Sequence, residues 1–273
     1  MIPTMISQAE QAFYVWLTRE CCADLGAVVD LGAFAGGSTA CLAEGLRQAG
    51  RKQIVHGYDK FLVNDFNVFR RRYHTYLADL PARDADFPPR GLPEIQGDDL
   101  LPVVRHFLAP WGDRIVLHKG LIEDQTWQAG PVELLVMDAS KTAKSMHEMS
   151  RLFFPHLIAG RSIVVQQDFL WWQQPWIAAQ MAVLSDYFEP IAHVAPMSVS
   201  FLYTKHMPPE MLEQANIVTM TDDQLVGHLR AMKQSVKRFR IDRLMRRLIS
   251  AVRANPEARQ AFHFRNRPDG FFT

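Results

Sequence analysis

The sequence lacks several features that would assign it to a membrane or secreted class. No apolar run approaches the roughly 20 residues that span a bilayer, so no transmembrane segment is predicted. The three cysteines, Cys21, Cys22 and Cys41, are odd in number and lack the spacing of a disulfide framework or a zinc site. The first residues show no basic stretch followed by an apolar one, which argues against a signal peptide. A reducing cytoplasm is therefore the expected location.

The motifs of several common enzyme classes are also absent. The chain has no G-x-G-x-x-G, P-loop, G-x-S-x-G or H-E-x-x-H sequence. These absences argue against NAD-linked oxidoreductases, P-loop nucleotide hydrolases, nucleophile-elbow hydrolases and zinc proteases. The oxidoreductase is still the nearest alternative among enzymes, because it would share a parallel sheet and an acid at the end of the second strand.

What is present is an ordinary globular composition with an uneven distribution of charge. The 273 residues are 48% hydrophobic and 22% charged, as in soluble globular proteins. Residues 230–273 contain 12 Lys and Arg against 3 Asp and Glu, so the formal net charge of +1 hides an acidic body and a basic tail. Charge alone does not indicate nucleic-acid binding, and nucleic acid is not an expected partner.

Short apolar runs alternate with helical patterns, which is typical of an α/β fold with a parallel sheet covered on both faces. A capping box at Ser7 and Glu10 opens the first helix, which runs to about Cys22. The predicted parallel strands are 27–31, 54–58, 114–118, 133–138 and 162–167, followed by an antiparallel pair at 191–194 and 199–203. Further helices are predicted at 38–48, 64–77, 100–108, 145–158, 177–187 and 222–252.

The alternation predicts one large domain at residues 1–206 and a basic helical extension at 207–273. Residues 61–112 form an insertion between the second and third strands, which indicates a lid or a substrate wall. In the extension, apolar residues recur at steps of 3 and 4 and the opposite face carries Arg and Lys. That face is interpreted as solvated, with a dimer contact, a membrane-surface contact and a nucleic-acid contact as alternatives.

The most informative stretch follows the first strand and has the pattern D-x-G-x-x-x-G-x-S. Asp30 ends the strand, and glycines then permit the tight backbone of a ligand-binding loop. Ser38 and Thr39 start the next helix, where they either cap it or bind a ligand carboxylate. An acid before such a loop suits a ligand with a cationic amino-acid end, as in S-adenosylmethionine. The residues predicted to bind this part of the cofactor are Asp30, Gly32, Phe34, Gly36, Gly37 and Ser38.

Two further positions complete the predicted cofactor site. Asp59 ends the second strand, where a carboxylate can accept hydrogen bonds from both ribose hydroxyls; a solvated loop acid is the alternative. Ile122 follows the third strand, where apolar residues would line an adenine slot. Because ligands bind at the carboxyl ends of parallel strands, these loops are expected to converge on one crevice.

Polar residues after the fourth and fifth strands are candidates for chemistry on a substrate. Asp138 ends strand four, where it would orient a hydroxyl, bind a divalent cation or contact the cofactor. Lys141 is a base if it is desolvated near other charges, and otherwise a solvated surface lysine. Gln166 and Gln167 end strand five, and Asp168 after them is the predicted general base or substrate anchor. The predicted catalytic residues are therefore Asp138, Lys141 and Asp168.

Three tryptophans lie just beyond the predicted base. Trp171, Trp172 and Trp176 would either stack on a sugar or aromatic acceptor, or pack under the following helix. Both interpretations suit an aromatic cluster after a strand, and the residues themselves do not distinguish them.

On these residues, the chain resembles the class I S-adenosylmethionine-dependent methyltransferases over residues 25–205. The resemblance rests on 30–38, on Asp59, on 134–138 and on the segment 154–160 before strand five. The layout of acids at strand ends is similar to the macrocin and catechol O-methyltransferase branch of that class. The resemblance implies a Rossmann-like seven-stranded sheet whose last strand is antiparallel. It also implies methyl transfer by in-line displacement at the sulfonium.

The same branch typically holds a divalent cation by an acid after strand four and an acidic pair after strand five. Asp138 matches the first position, whereas the pair falls on Gln166 and Gln167, or on Gln167 and Asp168 after a slip of one residue. A hard cation such as Mg²⁺ prefers carboxylates. No metal site is therefore assigned, and the ligands of a divalent cation, if one binds, would be Asp138, Gln167 and Asp168.

The predicted function is O-methylation of a hydroxyl on a small molecule such as a sugar or a secondary metabolite. A non-catalytic S-adenosylmethionine-binding protein on a degenerate fold is one alternative, because glutamines replace acids after strand five. An RNA methyltransferase that uses the basic tail is another. No N-P-P-Y or D-P-P-Y follows strand four, which argues against methylation of DNA bases. Exposed tryptophan and the apolar helix stripe also suggest a homodimer.

Overall fold

The structure is a computed structural model that describes residues 2, 4–62 and 98–268. The predicted helix at 64–77 and most of the predicted insertion at 61–112 lie outside the described residues. The chain divides into two compact units, Met1–Asp124 and Gln125–Thr273.

Seven strands form a mixed sheet in the order β3-β2-β1-β4-β5-β7-β6. The β1–β2, β2–β3 and β4–β5 pairs are parallel, whereas β7 runs antiparallel to both β5 and β6. The predicted α/β fold with an antiparallel last strand is therefore confirmed. The strands are β1 Ala27–Leu31, β2 Val55–Asp59, β3 Ile115–Lys119, β4 Val132–Met137, β5 Ile163–Gln166, β6 Phe188–Val194 and β7 Ser198–Tyr203.

Helices of the first unit pack closely around its strands. The predicted capping box is confirmed, because Ser7 Oγ accepts from the Glu10 amide and the Glu10 carboxylate accepts from the Ser7 amide. Gly45 lets two helices approach, since a Cβ at this position would lie 2.2 Å from the carbonyl oxygen of Val15. The helices are α1 Gln8–Trp16, continued by a π-helical turn Leu17–Cys21, α2 Gly37–Gln48, and α3 Leu101–Leu108, continued by a 3₁₀ segment Ala109–Arg114.

The second unit contains a helix whose residues are apolar except for Gln180. All but one residue of this helix, α5, are buried, and α5 packs against α7 and α8. The C-terminal helices thus cover a buried helix of the same unit. The helices are α4 Ala143–Phe153, α5 Pro175–Val183, α6 Pro209–Gln214, α7 Asp222–Ser235 and α8 Asp242–Ala254.

The prediction of a single helix at 222–252 is wrong, because the chain breaks between α7 and α8. Arg240 adopts a left-handed conformation with φ 59° and ends the 3₁₀ turn Lys237–Phe239. Of the five residues predicted to form the apolar stripe, Leu225, Leu229, Met232 and Val236 are buried, whereas Phe239 is only partly buried. In the described part of the chain, no helix is long and apolar enough to cross a membrane.

Candidate functional site

In the first unit, a buried carboxylate ties the end of β1 to the start of α2. Asp30 is fully buried, and its Oδ2 accepts hydrogen bonds from Ser38 Oγ at 2.8 Å and Thr39 Oγ1 at 2.6 Å. The two hydroxyls therefore hold Asp30 and do not cap the helix. The N-cap of α2 is Gly36, and no side chain caps it. Uncapped backbone N–H groups at a helix start can bind an anion.

The other oxygen of Asp30 has no hydrogen-bond partner among the described residues. Oδ1 is buried, and burial raises the pKa of Asp30 to about 6. Hydrogen bonds from Thr39 and Ser38 oppose this rise, and the negative charge of Asp59 adds to it. A cation near Oδ1 would lower the pKa and stabilise the charged carboxylate.

The loop between β1 and α2 turns on residues with positive φ. Gly32 and Gly36 have φ values of 101° and 91°, which glycine adopts without strain. Phe34 has φ 46°, a conformation that residues other than Gly, Asn and Asp rarely adopt. The Phe34 amide donates to Asp59 Oδ2 at 3.0 Å, which fixes the loop in this shape.

Asp59 accepts a backbone hydrogen bond with each of its oxygens, one from the β1–α2 loop and one from its own segment after β2. Oδ2 accepts from Phe34, and Oδ1 accepts from the Phe61 amide at 2.8 Å. Each carboxylate oxygen still has a second lone pair, so hydrogen bonds to ribose stay a prediction. Ile122 lies in the turn Ile122–Asp124 after β3 and is 7% exposed.

A cavity that the sequence did not predict lies beside the start of α2. It encloses about 190 Å³ and its walls are mainly apolar. Trp111 closes one side and donates its indole N–H to Glu44 at 2.9 Å. Burial raises the pKa of Cys41 to about 11, which disfavours the thiolate at neutral pH. The lining residues are Ile2, Gln11, Val15, Gly37, Ala40, Cys41, Glu44 and Trp111.

In the second unit, the three predicted catalytic residues meet in one charged cluster. The ammonium of Lys141 lies 2.5 Å from Asp168 Oδ2 and 3.2 Å from Asp138 Oδ1. Gln174 also donates to Asp168 Oδ2, at 2.8 Å. The side chain of Lys141 is 52% exposed and each aspartate 22%, so the cluster is reachable from solvent.

The two aspartates keep the lysine charged. Burial lowers the pKa of Lys141, but the charges and hydrogen bonds of Asp138 and Asp168 outweigh this effect and raise it overall. Lys141 is therefore protonated at neutral pH, which favours a role as a cation over a role as a base.

Gln166, the last residue of β5, and Gln167 after it contact other side chains of the protein. Gln167 is 6% exposed, and its Oε1 accepts from Ser198 Oγ at 2.8 Å. Gln166 is fully buried, and its amide nitrogen lies 3.4 Å and 3.5 Å from the sulfurs of Met137 and Met181. The described residues contain no group of three or more His, Cys, Asp and Glu that could hold a metal.

The C-terminal segment 259–264 supports both loops of the cluster, a role that the sequence did not reveal. The carbonyl of Lys141 accepts from the Ala261 amide at 2.9 Å. Gln173 donates to the carbonyls of Ala261 and Phe264 at 3.1 Å and 3.0 Å. These are contacts between residues 88 to 120 positions apart, for which composition and periodicity give no signal.

Two of the three tryptophans after β5 are structural. Trp176 is fully buried and donates to the carbonyl of Ser140 at 2.8 Å, and Trp172 is 5% exposed. Both rings make T-shaped contacts with Phe264, with ring centroids 5.9 Å (Trp176) and 6.4 Å (Trp172) away. The hypothesis that they stack on an acceptor is therefore wrong for Trp172 and Trp176, while Trp171 is partly exposed.

Comparisons with known proteins show the fold. No family model matches the sequence, and no curated protein matches it. Among solved structures, the O-methyltransferase NovP is 16% identical with a TM-score of 0.52, over 74% of this chain and 82% of that chain. The SAH-bound methyltransferase PaMTH1 of Podospora anserina is 14% identical with a TM-score of 0.47, over 74% and 80%. The chain thus has the fold that the resemblance implies, that of a class I methyltransferase.

Proposed function

We propose that this protein is an S-adenosylmethionine-dependent methyltransferase that acts on a hydroxyl of a small molecule, such as a sugar or a secondary metabolite. The observation that carries the proposal is the loop between β1 and α2. It combines a buried carboxylate oxygen of Asp30 that lacks a partner among the described residues with a helix start that no side chain caps. The methionine end of the cofactor offers an ammonium for the first and a carboxylate for the second.

The remaining cofactor contacts follow from the same unit. Gly32, Phe34, Gly36, Gly37 and Ser38 surround the methionine end. Asp59 uses its free lone pairs on the ribose hydroxyls, and Ile122 lies against the adenine. The shared fold with an enzyme described as an O-methyltransferase supports this reaction class by analogy, since one fold hosts many functions.

Asp138 and Asp168 act on the acceptor side. S-adenosylmethionine, held by the residues of the β1–α2 loop and Asp59, would supply an electrophilic methyl group to the acceptor oxygen. Asp168 Oδ1 accepts no hydrogen bond from the described residues, so it is the atom to receive the hydroxyl proton. Most of the rate gain would come from alignment of the oxygen with the methyl group, and the base removes the proton as attack proceeds.

Cofactor binding is the direct test of this proposal. Calorimetry with S-adenosylmethionine and S-adenosylhomocysteine should show micromolar binding by the wild type. Asp59→Ala should weaken it by at least about tenfold, because the loop loses its brace and the ribose its acceptor. Asp113→Ala removes an exposed carboxylate of the same unit and should leave binding unchanged. Absence of binding to the wild type would reject the proposal.

A further inference from the structure

The branch that the sequence resembles uses a divalent cation, and its expected ligands here are Asp138, Gln167 and Asp168. Their chemistry does not fit that ion. Gln167 is buried and its oxygen already accepts from Ser198. The two carboxylates that are left both contact the Lys141 ammonium. Mg²⁺ requires near-octahedral oxygen ligands at about 2.0–2.1 Å, and a positive charge between the same carboxylates repels it.

We infer that the ammonium of Lys141 takes the place of a divalent cation at the Asp138–Asp168 pair, so that the acceptor side works without a metal. The ammonium supplies what the ion would supply at this position, a positive charge shared between the two carboxylates. The replacement of a divalent cation by the Lys141 ammonium does not depend on the proposed function. A role of this ammonium in methyl transfer does rest on it.

Lys141 is held both at its backbone and at its ammonium. An ordinary surface ion pair lacks such support and contributes little to stability. The backbone N–H of Lys141 donates to Ala139 at 2.8 Å, and its carbonyl accepts from Ala261 at 2.9 Å. At the other end, Gln174, which is 2% exposed, donates to Asp168 and fixes that carboxylate. The ammonium is therefore positioned by the backbone hydrogen bonds of Lys141 and by an Asp168 carboxylate that Gln174 holds in place.

An ammonium has three N–H donors, and the two aspartates use two of them. The third is available to an acceptor oxygen, because half of the side chain is exposed. In the proposed reaction, the hydroxyl oxygen bonds to the methyl carbon while the carbon–sulfur bond breaks and its electron pair goes to sulfur. The hydroxyl proton goes to Asp168, and the ammonium faces the negative charge that develops on the oxygen.

The test removes the ammonium and asks whether the carboxylates then bind a metal. Mn²⁺ is the probe, and electron paramagnetic resonance measures its free concentration. Lys141→Met should bind Mn²⁺ at least tenfold more tightly than the wild type. Lys141→Arg keeps the positive charge and should exclude Mn²⁺ like the wild type. Lys144→Met removes an exposed lysine three residues away and should change nothing.

The double variant Lys141→Met with Asp168→Asn should lose the gained Mn²⁺ binding, which locates it at the pair. Circular dichroism of each variant verifies that it is folded. Tight Mn²⁺ binding by the wild type, or no gain in folded Lys141→Met, would overturn the inference. These titrations need neither cofactor nor acceptor, so they can be read even if cofactor binding fails and the proposed function is rejected.

Discussion

At the scale of single residues, Asp30 places a carboxylate where burial disfavours its charge. Its carboxylate is fully buried beside two hydroxyl donors, and one oxygen has no partner among the described residues. Burial of a charged carboxylate lowers the stability of the fold. Buried carboxylates of this kind therefore often lie at binding or catalytic sites. The sequence predicted the importance of Asp30, because an acid near the end of a buried strand is unusual. It did not predict that Ser38 and Thr39 donate hydrogen bonds to this acid.

The raised pKa of Asp30 predicts a pH dependence of stability. The folded-state pKa of about 6 lies above the ordinary value of 3.8, so the folded protein binds the proton more tightly than the unfolded chain. This contribution is fully present below pH 3.8 and is lost as the pH rises through 6. Two pK units correspond to about 3 kcal/mol. Asp30→Asn should remove this decline, which urea unfolding between pH 4 and 7 would measure.

The effect of Asp30 must be measured as the difference in free energy of unfolding between Asp30→Asn and the wild type at each pH. Burial lowers the pKa of His56 to about 4, with a further lowering by the charge of His118, so its contribution is lost as the pH falls below 6.5. That change has the opposite sign and an overlapping range. Asp113→Asn is the control, because it removes an exposed carboxylate. Equal pH slopes for Asp30→Asn and the wild type would contradict the prediction.

At the scale of elements, the start of α2 depends on a backbone conformation that only glycine adopts easily. Gly36 has φ 91°, and a Cβ there would approach the side chain of Leu108 to 3.1 Å. Gly36→Ala should lower the free energy of unfolding by about 1–2 kcal/mol, because an L-residue in this region is strained. Chemical denaturation measures the effect, and cofactor affinity should fall with it.

Gly112→Ala is the matched control for this prediction. Gly112 has no positive φ, and no atom lies within 4 Å of the position that its Cβ would take. Its substitution should leave stability unchanged or raise it slightly, since alanine restricts the unfolded chain. If both variants were equally stable, the left-handed position of Gly36 would not limit the start of the helix.

The strands and helices also show how much of the secondary structure could be predicted from patterns in the sequence. The strands β1 to β5 were predictable to within about one residue, because short apolar runs end at polar residues or glycine. The break between α7 and α8 was not, since residues 236–241 contain no Gly or Pro and the apolar steps continue across it. Arg240, which is exposed, adopts a left-handed conformation within this break, while Val236 and Ile241 on either side of it are buried.

At the scale of the whole molecule, the predicted extension 207–273 contributes to the site more directly than its sequence indicated. Helices α7 and α8 cover α5, and the segment after them holds the carbonyl of Lys141. The sequence predicted Asp138, Lys141 and Asp168 one at a time, from strand ends. It could not predict their ion pairing, because residues 27 positions apart meet only after the sheet and the C-terminal segment have formed.

Phe264 is buried at the end of the segment 259–264, so its replacement should also affect the charged cluster around Lys141. It is 2% exposed and makes T-shaped ring contacts with Trp172 and Trp176. Phe264→Ala should lower the free energy of unfolding by about 3 kcal/mol or more, through lost burial and the cavity left behind. Hydrogen exchange should rise at residues 139–143 as well as at 259–264, because the Ala261 N–H no longer holds Lys141. Phe262→Ala, at a ring that is 65% exposed, should do neither. A destabilised Phe264→Ala whose exchange at 139–143 equals that of the wild type would show that the segment stabilises the unit without positioning the lysine.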